Sequence, residues 1–108
     1  MTLDLPKPVS AYFEADRSNK SKVGECFTEH ATVIDERMTY TGRQAIQDWK
    51  DASDGKYSYT VDPFDIGEDG DRVVVTAHLV GNFPGSPVDL RYAFTLEKDK
   101  ISSLEIRP

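Results

Sequence analysis

The stretch Val88-Asp89-Leu90-Arg91-Tyr92-Ala93-Phe94-Thr95-Leu96-Glu97 alternates without a break. Val88, Leu90, Tyr92, Phe94 and Leu96 fall on one side, and Asp89, Arg91, Ala93, Thr95 and Glu97 on the other. A period of two marks a strand with one face on a core and the other toward solvent. A helix through the same residues would scatter the five apolar side chains around its circumference. Downstream, Lys98-Asp99-Lys100 turns the chain into a last strand, Ile101 to Ile106. Upstream, Pro84-Gly85-Ser86-Pro87 closes the longest strand, Arg72 to Phe83. Glu68-Asp69-Gly70-Asp71 carries an Asp-Gly hairpin signal and joins that strand to Tyr57 to Ile66. Four successive strands with short turns make an antiparallel sheet.

The first half has a different period. Pro6 and Pro8 mark an extended arm, Met1 to Pro8, with regular structure expected from Val9. Val9, Tyr12, Phe13 and Asp16 share one helical face. After a break at Asn19 to Ser21, Val23, Cys26 and Phe27 give a second stripe. Thr41 and Gln44 have the spacing of a capping box, and Ala45, Ile46, Trp49 and Ala52 form the stripe of a third helix ending near Asp54-Gly55. Between the second and third helices, Ala31 to Asp35 is a short strand-like run. Helices first and a meander afterwards predict an α+β domain with the helices on one face of the sheet.

At 108 residues the chain is long enough for one domain. Leu, Ile, Val and Phe together number 25, which supports a small core, and a domain this size leaves much apolar surface exposed unless a second copy covers it. The net charge of −6, without a basic cluster, argues against a nucleic-acid partner. No apolar run reaches bilayer-spanning length, so no membrane partner is expected, and Met1 to Pro8 holds no apolar segment of signal-peptide length. The single Cys26 excludes an intramolecular disulfide and a multi-cysteine metal site, and points to a reducing cytoplasm. His30 and His78 lack the paired spacing of a metal motif, so no metal is expected.

The order of these elements, with Ala31-Thr32-Val33-Ile34-Asp35, Gly42-Arg43-Gln44-Ala45-Ile46, Lys100-Ile101 and Leu104-Glu105-Ile106-Arg107-Pro108, resembles the SnoaL-like and ketosteroid-isomerase-like branch of the nuclear transport factor 2-like superfamily. The resemblance runs over Val9 to Pro108. It implies a cone-shaped fold: three N-terminal helices packed on a curved four-strand antiparallel sheet that encloses a pocket. It also implies frequent dimerisation and, for the enzymes of the branch, proton-transfer chemistry without a cofactor.

By that resemblance Asp35 stands where relatives place the carboxylate that moves a proton. A carboxylate in an apolar pocket gains basicity because its charged form is disfavoured. The alternative is a solvated residue at a strand end beside Glu36 and Arg37. Tyr12 matches the phenol that stabilises an enolate oxygen, and its alternative is a core aromatic packed with Val9 and Phe13. Tyr92 falls near the position of a protonated aspartate in ketosteroid isomerases; here a phenol replaces the acid, as a donor or as a core residue. Phe13, Phe27, Trp49, Val75, Ala77, Leu79, Leu90 and Phe94 are expected to wall a pocket or fill the core. Alternation sends His78 to the outer face with Val74, Thr76 and Val80, and sets Asp89 and Arg91 outside as a cross-strand or intersubunit ion pair, not as the pocket triad of related epoxide hydrolases.

The reading is a cofactor-independent isomerase, cyclase or dehydratase acting on a small apolar carbonyl compound. Its rival is a non-catalytic binding or dimeric interaction domain of the same fold. A homodimer through the outer sheet face is expected, because Val74, Thr76, His78, Val80, Ala93 and Thr95 leave that face too apolar for full solvation.

Overall fold

The computed structural model describes residues 3–108, apart from the side chain of Asp54, so Met1 and Thr2 of the expected arm lie outside the described residues. Helix α1 runs Lys7–Ser18 and opens two residues before the expected Val9, because Pro8 sits in the first turn, where its missing N–H is no loss. A 3₁₀ helix follows at Lys20–Cys26, then strand β1 at Phe27–Asp35, strand β2 at Met38–Thr41 and helix α2 at Arg43–Lys56. Strands β3 (Tyr59–Asp69), β4 (Arg72–Gly81), β5 (Val88–Glu97) and β6 (Lys100–Arg107) complete the chain.

The α+β class and the three helical segments are as expected, but the sheet is not the four-strand antiparallel one. It has six strands in the order β2-β1-β6-β5-β4-β3, and β1 runs parallel to β6. The run at Ala31 to Asp35 is the end of a nine-residue strand that joins the sheet beside the last strand. Glu36 and Arg37, both at positive φ, turn β1 back into β2. The sheet stays open, with β2 and β3 as its edges.

Two local expectations also change. The second helix is 3₁₀, so Val23 is buried within it while Phe27 already begins β1. The capping box does not form: Thr41 is used in β2, opposite Thr32, and the helix is capped by Gly42 at φ 92°, whose N–H donates to the Ala31 carbonyl. Gln44 turns outward and donates to Asp48 instead.

One core lies between the helices and the inner sheet face. Val9, Tyr12 and Phe13 of α1 and Ile46 and Trp49 of α2 meet Val33, Val75, Tyr92, Phe94 and Leu104 of the sheet. Tyr12 packs edge-on against Phe13, Phe27 and Phe94, at centroid distances of 5.3, 6.0 and 5.7 Å, in the geometry aromatic pairs favour. The registers set Asp35, Ile106, Tyr92 and Val75 in one cross-strand row on the inner face. Asp35 is therefore carried into the interior by the parallel pairing that the sequence does not announce.

Candidate functional site

Beyond the aromatic core the interior opens into a cleft of about 790 Å³, a size suited to a small organic ligand. Leu79, Phe83, Val88, Leu90 and Ile106 supply apolar walls. Tyr57 and Tyr59 add phenol rings, both packed edge-on against Phe83. The polar lining comes from Asp35, Glu36, Arg37 and Ser53 and from Glu105 and Arg107.

Asp35 is half-buried at the end of β1. The indole Nε1 of Trp49 donates to its Oδ2 at 3.1 Å, which fixes the carboxylate. Burial pushes the Asp35 carboxyl above the usual carboxylate range, and the neighbouring Glu36 charge adds to this. The Trp49 bond, the Lys50 ammonium and the Glu36 backbone N–H pull the other way without cancelling it. An aspartate so placed is a stronger base than one in water.

Of the expected pocket residues, Asp35, Leu79 and Leu90 line the cleft. Phe13, Phe27, Val75, Ala77 and Phe94 are core side chains behind it, and Trp49 reaches it through its bond to Asp35. Tyr12, 1% exposed, and Tyr92 also lie in the core and not in the cleft lining. Burial holds both phenols protonated, their pKa raised well above the usual value; the charge of Asp16 acts the same way on each, followed by smaller contributions that include Asp35 and Tyr59. These groups therefore share one electrostatic neighbourhood.

Sequence reasoning singled out neither Tyr59 nor Lys50. Lys50 of α2 is 4% exposed, and its Nζ donates to Oδ1 of the equally buried Asp16 at 2.8 Å. The same ammonium donates to the Tyr59 hydroxyl at 3.4 Å and sits 4.6 Å from the Trp49 ring centroid. The available signal was Asp16 itself: a carboxylate on the apolar face of a helix requires a buried partner.

On the outer face, His78 Nδ1 lies 2.6 Å from Asp89 Oδ1, so His78 points away from the cleft and Asp89 has the cross-strand partner that alternation called for. Among the described residues no group of three His, Cys, Asp or Glu side chains is placed to hold a metal ion. Also among them, no helix is long and apolar enough to cross a membrane. Cys26 is half-buried, and burial pushes its thiol pKa up.

No curated protein matches the sequence. Solved structures do. A proposed polyketide cyclase from Sinorhizobium meliloti is 41% identical and superposes with a TM-score of 0.91 over 96% of each chain. A protein of ketosteroid isomerase-like fold from Catenulispora acidiphila, solved with trimethylamine, is 24% identical with a TM-score of 0.81, over 95% of this chain and 85% of that one. A proposed isomerase of the SnoaL-like family from Agrobacterium tumefaciens shares the fold at 17% identity, with a TM-score of 0.73 over 92% of each chain. The SnoaL-like domain model matches residues 9–103. With that match across most of the chain, and with a fold shared with such relatives, the protein belongs to the SnoaL-like family of the nuclear transport factor 2-like superfamily.

Proposed function

We propose that the protein is a cofactor-independent proton-transfer enzyme of the isomerase or cyclase type, acting on a small, largely apolar carbonyl compound. The observation that carries this reading is Asp35: a carboxylate on the wall of an apolar cleft, held by Trp49, with its pKa raised by burial. In the reaction an Asp35 oxygen takes a proton from the carbon next to the carbonyl. The C–H electron pair becomes a C=C bond, and the carbonyl π pair moves onto oxygen as an enolate. Where a C=C bond is conjugated with the enolate, return of the proton to its far carbon gives an isomer; attack of the enolate carbon on a second carbonyl of the same molecule, whose π pair moves onto its oxygen and takes the proton from Asp35, gives a ring. A neutral phenol suits the enolate oxygen; Tyr12 and Tyr92, which the family resemblance supplies for that role, lie in the core and outside the cleft lining, so the reading rests on Asp35. The similarity to the Sinorhizobium meliloti protein, 41% identical and itself a proposed polyketide cyclase, supports the same class of substrate.

The test is hydrogen exchange in D₂O. 2-Tetralone and related cyclic ketones are incubated with the protein, and deuterium uptake beside the carbonyl is read by mass spectrometry. The wild type should accelerate uptake, and Asp35→Asn should lower the rate about 10²- to 10⁴-fold while leaving the fold intact. Ketone binding with no exchange would replace this reading with that of a binding domain.

The outer sheet face is proposed as a homodimer surface. Val80 is 46% exposed there, next to the half-buried Val74, Thr76, Ala93 and Thr95. Light scattering at micromolar concentration should give twice the chain mass, and a monomer would remove the claim.

A further inference from the structure

Trp49 has one side-chain N–H, so its indole holds Asp35 only when the ring is set in one orientation. Two groups set it. The Tyr40 ring of β2 stands 6.0 Å away at a tilt of 35°. The Lys50 ammonium lies 4.6 Å from the indole centroid, a distance at which a cation is attracted to the ring. Lys50 is itself held: its Nζ donates to Asp16 Oδ1 at 2.8 Å and to the Tyr59 hydroxyl at 3.4 Å, and it stands 5.7 Å from the Tyr12 ring centroid. Asp16 and Lys50 are both buried. A buried ion pair loses hydration at both ends, and packed apolar residues of similar volume often stabilise a fold as well or better. Stability alone therefore does not explain why a lysine stands beside the indole.

We propose that Lys50, clamped by Asp16, is a positioning residue for the base: its ammonium seats the Trp49 indole, and the indole N–H holds the Asp35 carboxylate at the cleft wall. The inference rests on the proton-transfer reading and adds a residue, buried behind the cleft, that governs when the base works. A base takes a proton only while it is ionised, and burial works against that state. The Lys50 charge and the indole bond favour the anion, against burial and the Glu36 charge. Asp35 thus gains basicity from burial and keeps its charge at the working pH. The nearby phenols Tyr12 and Tyr92 are kept protonated by burial and add no charge, and Arg37, Glu105 and Arg107 also stand on the cleft lining.

Two double variants test this by removing both charges together, so that neither leaves an orphan ion. One is Asp16→Leu with Lys50→Met; the other, Asp16→Asn with Lys50→Gln, keeps polar contacts in case the apolar pair fails to fold. In whichever unfolds cooperatively, the ¹³C titration of Asp35 should shift to higher pH than in the wild type. Trp49 is the only tryptophan, so its indole N–H gives a single ¹⁵N–¹H peak, which should exchange faster with solvent. The pH at which 2-tetralone exchange sets in should rise with the Asp35 midpoint. A midpoint unchanged from the wild type, or an indole N–H no less protected, would overturn the proposal. Loss of folding in both variants would make the pair structural and overturn it too. The first two measurements need no turnover. If they move as expected and no ketone exchanges, the link from Lys50 to Asp35 stands and the proton-transfer reading fails. If they stay put while Asp35→Asn still loses exchange, that reading stands and this proposal fails.

Discussion

At one end of the interior Tyr12, Phe13, Phe27, Tyr92 and Phe94 fill the space between α1 and the sheet; at the other, Tyr57, Tyr59 and Phe83 stand around a cleft of about 790 Å³. Both ends use rings packed edge-on, with Tyr92 and Phe94 stacked at the first. The difference lies in what covers them. Helix α1 presses on the first group, and each of its rings is buried. The second group lies past the C-terminal end of α2, where the turn after β4 lines an opening instead of a lid. The filled end supplies stability, and the open end has room for a ligand beside a basic carboxylate. The Asp16–Lys50 pair sits between them and projects charge from the closed end to the open one.

Substitutions at the two ends should separate these roles. The largest effect belongs to Phe94→Ala, which empties a fully buried site and should cost about 3–5 kcal/mol in urea unfolding. Leu90→Ala on the cleft wall should cost about 1 kcal/mol, because its side chain already borders open space. Equal losses would erase the distinction between the ends.

Gly81→Ala ranks next. A Cβ at Gly81 would lie 2.4 Å from the Ser58 carbonyl and 2.5 Å from the Tyr59 Cβ, so the strand carrying Tyr59 must move. About 1–3 kcal/mol of stability should be lost, and the exchange of 2-tetralone should slow with it. A loss of stability with unchanged exchange would show that the cleft works without the close approach of Gly81 to Tyr59.

Asp35→Asn should have a smaller effect, and of opposite sign. The folded state raises the Asp35 pKa, so it favours the protonated carboxyl. Wild-type stability therefore falls as pH rises from the unfolded-state value through the folded one and stays lowered above it. Asparagine removes that cost and still offers an oxygen to Trp49. Thermal unfolding should show the variant more stable than the wild type at neutral pH, with the gap closing below the usual carboxylate range. A variant less stable at neutral pH would place Asp35 among structural residues.

Glu105→Gln should matter least. Hydrogen bonds from Arg107 and Arg72 hold the Glu105 carboxyl below its ordinary pKa, so its contribution is present at neutral pH and lost as pH falls through the folded value. Because the Arg107 end of the pair is largely solvated, the loss at neutral pH should stay below about 1 kcal/mol, and high salt should reduce it.

How much of this was legible in the sequence depends on the range of the interactions. The β5 alternation was readable because each face meets a different medium, and it also placed His78 and Asp89 outside. Strand β2 was not: Glu36 and Arg37 form its turn at positive φ without the glycine or asparagine that would have marked it. The parallel pairing of β1 with β6 joins residues some seventy positions apart and leaves no local trace. Asp35 was legible through the family resemblance. Lys50, between Trp49 and Asp51, has the look of a solvated helix residue, and only its pairing with Asp16 across 34 positions reveals its burial.

The central claim is that the cleft makes Asp35 a strengthened base, and a titration of its carboxyl carbon by ¹³C NMR tests that most directly. The account predicts a midpoint above that of an ordinary aspartate, moving higher still in Trp49→Phe, where the indole hydrogen bond that favours the carboxylate is gone. A midpoint at or below the ordinary value, unmoved by loss of the indole, would contradict it.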